Sequence, residues 1–146
     1  MKKSTCFILA ASTCLLLNSC KHEEKIIEKV AYNYSYAMAN YDLESAAKYA
    51  TEETKNTTLR KADYLVKAVG EKYIESDTPA SIEIIKLEKV NDTTAYVVYH
   101  KKTPQKDFSA RLYLLKRDGQ WLAHKPIKEI PDNSSKEEEI NFVEPK

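Results

Sequence analysis

Histidine, serine and glycine motifs often mark catalytic or metal sites, but this chain of 146 residues has none of the usual spacings. His22, His100 and His124 form no H-E-x-x-H pair, so we expect no metal site and expect the two strand histidines to face solvent. No serine lies in a G-x-S-x-G motif. The two glycines, Gly70 and Gly119, cannot build a glycine-rich phosphate loop. The sequence therefore predicts no cofactor.

The chain is rich in tyrosine, with ten residues of this type. Several lie on predicted helices and strands that would face each other, so their rings could line a pocket for a small apolar ligand. The alternative, which ordinary core composition favours, is that these rings fill the core. Tyr32 or Tyr36 should lie outside the apolar stripe of its helix and could contact a partner. The candidate pocket residues are Tyr34, Tyr41, Tyr49, Tyr99 and Trp121.

Carboxylates decide whether such a pocket could catalyse a reaction, because a general base must lie within reach of the substrate. Asp63, Glu83 and Glu88 lie beside apolar positions, and each is typical of a solvated flank. We therefore predict a non-enzymatic protein, with a small-molecule-binding or isomerase-like cavity protein as the alternative. The formal net charge of +1, from 23 Lys and Arg against 22 Asp and Glu, argues against nucleic-acid binding.

The first twenty residues have the pattern of an export signal. Two lysines precede an apolar stretch at positions 7–17, which is too short to cross a hydrocarbon core of about 30 Å. The segment Leu17-Asn18-Ser19-Cys20 resembles a bacterial lipobox, which implies that Cys20 is acylated and becomes the new N-terminus. The alternative is a secreted protein with an unrelated cysteine near its cleavage site. Removal of residues 1–19 would leave 127 of the 146 residues, anchored in a membrane by acyl chains.

Two short segments indicate a location. Lys21-His22-Glu23-Glu24 resembles the signal that displays Bacteroidota lipoproteins on the outer face of the outer membrane, although a solvated linker has the same composition. Asp92-Thr93-Thr94 resembles the O-glycosylation acceptor of that phylum, which would place a glycan on Thr93. These resemblances imply an outer membrane lipoprotein of the cell envelope that is exposed at the surface.

Periodicity predicts three helices in the first half of the chain. Apolar residues recur every three or four positions over residues 24–40. Asp42 is the expected N-cap of a second helix at 43–50, and Thr57 or Thr58 the expected N-cap of a third. The third helix carries an apolar stripe from Leu59 to Tyr73 and should end before Pro79.

The second half is predicted to form four strands, at residues 81–90, 94–102, 107–116 and 120–127. In the third strand, alternation would direct Phe108, Ala110, Leu112 and Leu114 to the core. Asp118-Gly119 is typical of a type I′ hairpin turn. Four successive strands imply an antiparallel meander with the helices on one face, an α+β fold.

The resulting organisation has four parts: a lipoprotein signal peptide at 1–19, a lipidated tether at 20–25, an α+β domain at 26–130 and an acidic mobile tail at 131–146. Within the tail, residues 140–143 could dock as a short edge strand.

Two segments of the domain resemble nuclear transport factor 2-like (cone) domains. Residues 37–50 are similar to the first-to-second helix segment of that superfamily, and residues 115–122, with Asp118-Gly119 and Trp121, to its terminal hairpin. The resemblance is strongest to a lipoprotein branch from Bacteroidota. It implies helices packed on a curved antiparallel sheet of four or more strands, and homodimers that form through the sheet. The function we expect is a membrane-tethered binding or assembly module, whose partner is an envelope protein or a small apolar ligand.

Overall fold

A computed structural model describes residues 10–125, with side chains from Lys21 onward. Residues 1–9 of the expected signal peptide, the side chain of Cys20 and the expected tail lie outside the described part, and residues 10–19 of the signal peptide are described as helical backbone alone. Five α-helices and one π-helical turn precede the sheet. They are α1 (Ala10–Ala39), α2 (Leu43–Ala47), α3 (Glu52–Thr54), the π-helical turn (Lys55–Leu59), α4 (Arg60–Val69) and α5 (Glu71–Asp77).

Helix α1 supplies most of the helical half of the core, as its periodicity predicted. Ile27, Ala31 and Tyr34 repeat at four- and three-residue steps and are buried. Tyr32 and Tyr36 lie on the opposite side, 41% and 43% exposed, and their rings stack with centroids 5.8 Å apart. The expectation that at least one of these two tyrosines is exposed is confirmed.

Helix α2 begins where predicted and ends earlier than predicted. The Asp42 carboxylate caps it by accepting a hydrogen bond from Ser45 N–H at 3.0 Å. The helix stops at Ala47 because the following segment pairs with the last strand: Thr51 N–H donates to the Ala123 carbonyl at 3.0 Å, and Ala123 N–H donates to the Tyr49 carbonyl at 2.7 Å. Backbone groups committed to this parallel bridge cannot continue a helical ladder.

The predicted third helix was wrong in its start, its cap and its continuity. Thr51, not Thr57 or Thr58, is the N-cap, and its hydroxyl accepts from Thr54 N–H at 3.3 Å. Gly70, with φ of 78°, separates α4 from α5. Within the described structure the apolar stripe is largely unpacked: Leu59 is buried, whereas Val69 and Tyr73 are exposed.

The four strands form one antiparallel sheet in the order β1-β2-β3-β4, as predicted. Positive φ values of 50° at Asp118 and 77° at Gly119 fit the expected type I′ turn. A bulge interrupts the register of the first strand between Ile84 and Lys86. The strands are β1 (Ser81–Lys89), β2 (Thr94–Lys102), β3 (Asp107–Arg117) and β4 (Gln120–His124).

One face of the sheet packs against α1. Ala95 and Val97 of β2, Leu114 of β3 and Trp121 of β4 join Ile27 in a buried cluster. The predicted inward position of Leu114 is confirmed, since it is 1% exposed. Phe108 is not part of this core.

Phe108 is 42% exposed, because it lies at the end of β3 that follows the β2–β3 turn, away from the α1 cluster. Its ring has the Lys101 ammonium 6.0 Å from its centroid.

The opposite face of the sheet carries a row of side chains from neighbouring strands. Tyr96 pairs with Tyr113 across β2 and β3, with ring centroids 6.3 Å apart. The Arg111 guanidinium lies 4.6 Å from the centre of the Tyr96 ring. Leu115 and Leu122 continue the same face and are half-buried. No helix of the described range combines the length and apolar character needed to cross a bilayer.

Candidate functional site

A cleft of about 220 Å³ lies where β4 ends beside β3, and we call it the helix–sheet cleft. Helix α1 forms one wall, and Thr54 with Thr58 of the π-helical turn forms the second. Strands β2 and β3 provide the floor. The lining residues are Tyr34, Ser35, Met38, Thr54, Thr58, Tyr99, Arg111, Leu112, Tyr113, His124 and Lys125.

His124 is held in this cleft by a chain of hydrogen bonds. Its Nδ1 lies 3.0 Å from Thr51 Oγ1, which lies 2.9 Å from Thr54 Oγ1. The Thr54 hydroxyl oxygen also accepts from Lys125 N–H at 2.9 Å. The other ring nitrogen, Nε2, is buried and has no hydrogen-bond partner among the described residues.

The donor-to-acceptor direction of these hydrogen bonds decides which ring nitrogen of His124 carries the proton. If the Thr54 hydroxyl donates to Thr51 and the Thr51 hydroxyl donates to His124 Nδ1, both hydroxyl protons have an acceptor, and the imidazole proton on Nε2 is the one left without a partner among the described residues. The reverse direction leaves the Thr54 hydroxyl proton without an acceptor among these contacts. The tautomer assigned from the network therefore carries its proton on Nε2, so the buried nitrogen of this cleft-lining residue is assigned as a donor.

The phenols that line the cleft are also neutral donors. Burial raises the pKa of Tyr34 to about 12, and the neighbouring Tyr99 adds to the effect. Burial likewise raises the pKa of Tyr99, although the adjacent Ser35 hydroxyl acts in the opposite direction. Ser35 Oγ itself is buried and meets no partner with regular hydrogen-bond geometry. No carboxylate is found among the described residues that line the cleft.

A second depression, of about 620 Å³, lies between the middle of α1 and the β3–β4 hairpin. We call it the hairpin groove; it is lined by His22, Glu23, Ile26, Val30, Lys48, Tyr49, Lys116, Gly119, Gln120, Trp121 and Leu122.

Glu23 joins α1 to the sheet at the base of this groove. Its carboxylate accepts hydrogen bonds from Lys116 at 2.6 Å, Lys89 at 2.5 Å and Trp121 Nε1 at 3.2 Å. Hydrogen bonds from Lys116 and Lys89 lower the pKa of Glu23 to about 2, against a smaller opposing effect of burial. Sequence reasoning placed Glu23 in a tether at 20–25, whereas in the structure it belongs to the packed domain.

Asp77 is a buried carboxylate that sequence reasoning missed. It is 0% exposed and accepts hydrogen bonds from Thr103 at 2.5 Å and Tyr41 at 2.6 Å. Burial would raise the pKa of Asp77, but these two donors and the charges of Lys106 and Lys101 outweigh it and hold the pKa below its usual range. In the sequence, Asp77 stands beside Pro79 in a segment typical of a turn. Its hydrogen-bond partners are distant in the chain, so nothing nearby indicates that it is buried.

The structure divides the five predicted pocket residues among three places. Tyr34 and Tyr99 line the helix–sheet cleft, while Tyr49 and Trp121 line the hairpin groove. Tyr41 contacts Asp77, and its φ of 62° puts it in the left-handed region just after α1. Seven residues separate Tyr34 from Tyr41, which in a helix is an axial distance of about 10 Å and too far for one small pocket.

The expectation that the strand histidines face solvent is wrong for His124, whose Nε2 is buried, whereas the side chain of His100 is 33% exposed. His100 Nε2 lies 2.8 Å from Asp107 Oδ1, and His124 is tied to Thr51. β3 separates their strands. In the described residues there is no cluster of three or more His, Cys, Asp or Glu side chains that could hold a metal ion.

The two modification candidates lie at the same end of the domain. Thr93 is exposed in the β1–β2 turn, and its hydroxyl donates to Asn91 Oδ1 at 3.1 Å. The Thr93 carbonyl accepts from Lys116 N–H at 2.7 Å, close to the Glu23 contacts. Cys20 lies within α1, three residues before Glu23.

Comparison with known proteins shows the fold. No family model matches the chain, and no curated protein is similar to it. Among solved structures, the chain is similar to an NTF2-like (nuclear transport factor 2-like) protein of Campylobacter jejuni that is provisionally called a transpeptidase. The TM-score is 0.51 at 20% sequence identity, and the match covers 68% of this chain and 97% of the other. The chain therefore has the NTF2-like α+β fold that residues 37–50 and 115–122 indicated.

Proposed function

We propose that this chain is a membrane-tethered, non-enzymatic binding module of the bacterial cell envelope that holds a small ligand in the helix–sheet cleft. The observation that carries this proposal is the buried, unpartnered Nε2 of His124. A buried polar atom without a partner costs about 1–3 kcal/mol, so its presence at a cleft is accounted for by a ligand that supplies the missing acceptor.

The lining of the cleft defines the chemical class of the ligand. His124 Nε2 and the neutral phenols of Tyr34 and Tyr99 are donors. Met38 and Leu112 offer apolar contact. A small, mainly apolar molecule with one carbonyl or carboxylate group fits this surface. The volume of about 220 Å³ is below the roughly 300–1,000 Å³ of pockets for drug-sized ligands.

The absence of a carboxylate from the described lining favours binding over isomerase-like chemistry. Proton abstraction needs a base at the substrate, and His124 Nε2 is assigned as a donor. The buried Asp77 is committed to Thr103 and Tyr41. We therefore propose no catalytic residue.

The lipid tether rests on the lipobox-like residues that end at Cys20, and assignment to a Bacteroidota lipoprotein branch rests on the segment that follows. The test is labelling of cells with radioactive palmitate. The natural chain should become labelled and sediment with membranes, while Cys20→Ala should remain unlabelled. A Cys20→Ala chain that is still labelled and membrane-bound would refute the tether.

Ligand binding can be tested with benzoate as a probe that combines an apolar ring with a carboxylate. We expect benzoate to shift the NMR resonances of the Tyr34 and Tyr99 rings that line the cleft, and toluene, which lacks an acceptor, to have a much smaller effect. His124→Phe keeps an aromatic ring and removes the donor, so it should abolish the benzoate response. His100→Phe is the matched control and should retain it. Equal responses in the two variants would refute the role of His124.

A second candidate function is association through the open sheet face, either with an envelope protein or with a second copy of the chain. The half-buried Tyr96, Tyr113, Leu115 and Leu122 with Arg111 form the apolar and aromatic surface that favours it. Sedimentation tests the homodimer: Leu115→Lys should dissociate it, and Ser109→Lys at the far end of the same face should not. A natural chain that sediments as a monomer at all concentrations would refute the homodimer.

A further inference from the structure

The position of Glu23 removes any long flexible spacer between a lipid anchor at Cys20 and the domain. Three residues of helix correspond to an axial rise of about 4.5 Å. Glu23 is fixed to Lys89, Lys116 and Trp121, so the sheet end that carries these residues stays close to Cys20. The hairpin groove opens at this same end.

The groove has the side-chain types that occur where proteins meet a bilayer surface. Tyr49 is a half-buried amphipathic aromatic residue of the kind that concentrates at the level of lipid headgroups, and Trp121, 3% exposed, forms the floor of the groove. Ile26, 40% exposed, adds apolar surface. Lys48 is exposed in the groove and Lys116 lines it. The carboxylate of Glu23 is neutralised by its contacts to two lysines, so the groove offers cations to an anionic group.

We propose that the hairpin groove is a membrane-contact site that binds phosphate headgroups of the bilayer in which Cys20 is anchored. The site rests on the proposed acylation of Cys20, because the anchor brings the groove to the headgroups. Lysine ammonium groups pair with lipid phosphates, and Tyr49 with Ile26 lies at the boundary with the acyl chains. The domain is thereby held against the membrane in one orientation.

The test uses Trp121, the single tryptophan of the chain, as a reporter within the groove. The acylated full-length protein is reconstituted into vesicles of phosphatidylcholine and phosphatidylglycerol that contain a lipid with a nitroxide on its headgroup. The nitroxide quenches the fluorescence of Trp121 when the two groups are close together, even if the indole ring is not exposed to solvent. We expect strong quenching of Trp121 in the natural chain, reduced by high salt because the contact is electrostatic.

Lys48→Glu is the informative variant, because Lys48 makes no contact with Glu23 and its reversal leaves that cluster intact. Each basic residue at an anionic surface contributes enough to change binding about fivefold, so we expect quenching to fall at least about twofold. Lys61→Glu, an exposed change on α4, is the matched control and should quench like the natural chain.

The outcomes separate this proposal from the one on which it rests. Mass spectrometry that finds no acyl group on the purified chain would refute the tether and the contact together. An acylated chain with unquenched Trp121, or with equal quenching in Lys48→Glu, would refute the contact and leave the tether standing. Quenching that Lys48→Glu reduces and Lys61→Glu preserves would support both.

Discussion

Replacement of Glu23 by glutamine should destabilise the fold measurably, because it removes the only charge that Lys89 and Lys116 share in this cluster. A fall in the pKa of Glu23 from its ordinary 4.5 to about 2 corresponds to about 3 kcal/mol of folding free energy at neutral pH. Since 23% of the side chain is exposed, solvent screening reduces this, and we expect a loss of about 2 kcal/mol.

The lowered pKa of Glu23 also predicts how its contribution to the free energy of unfolding changes with pH. The pKa of Glu23 is lower in the folded chain than in the unfolded chain, so its contribution is complete above about pH 4.5. The contribution is lost as the pH falls from about 4.5 towards 2, where the folded carboxylate becomes protonated. The difference in unfolding free energy between the natural chain and Glu23→Gln should therefore shrink towards zero over this range.

Urea unfolding followed by Trp121 fluorescence measures this difference at pH 7 and pH 3. Glu24→Gln is the matched control, since Glu24 is exposed and adjacent, and it should change stability by less than about 0.5 kcal/mol. A Glu23→Gln chain as stable as the control at pH 7, or a difference that grows on acidification, would refute the electrostatic account of this contact.

Three further perturbations test other parts of the structure. Asp77→Asn should lower the free energy of unfolding in urea by about 2–4 kcal/mol, because an amide cannot accept from both Thr103 and Tyr41 without leaving a buried group unpaired. A loss below about 1 kcal/mol would contradict this prediction. Thr51→Val removes both the N-cap of α3 and the partner of His124 Nδ1, so it should lower the free energy of unfolding by about 1–2 kcal/mol. It should also change the imidazole ¹⁵N shifts of His124. Unchanged ¹⁵N shifts would contradict the assigned contact between His124 and Thr51. Gly119→Ala should lower the stability measured by thermal unfolding by about 1 kcal/mol. The loss comes from the backbone φ of 77° alone, since a Cβ there meets no atom within 4 Å. A much larger loss would indicate a steric clash and contradict this account.

Local rules predicted the strands and the first cap because both depend on neighbouring residues. The bounds of the strand Thr94–Lys102 follow from alternation of apolar and polar residues. The Asp118-Gly119 turn follows from the tolerance of these two residues for positive φ. The Asp42 cap follows from a side-chain acceptor three residues before the N–H that it binds. The same rules failed for the third helix. Its apolar stripe predicted burial, yet Val69 and Tyr73 are 44% and 37% exposed, because a stripe shows only that one side of a helix can be buried.

The polar centres of the structure could not be predicted, because their partners are far apart in the sequence. Glu23 bonds to Trp121, and Asp77 to Thr103, through contacts that only the register of the sheet brings together. The His124–Thr51 contact likewise depends on the parallel bridge between Ala50 and Ala123. A signal was present for Asp77 alone, as a carboxylate at a predicted helix end. Without the sheet register it was indistinguishable from a solvated turn residue.

The short bridge at the edge of β4 also protects the sheet from unwanted assembly. An open strand edge is a template for pairing with other chains, which leads to aggregation. The backbone of Tyr49 and Thr51 already occupies the outward groups of Ala123, so a foreign strand cannot extend the sheet through that residue. At the other edge, β1 combines a bulge with the charged side chains of Lys86 and Glu88. The sheet thus limits its own growth in both directions.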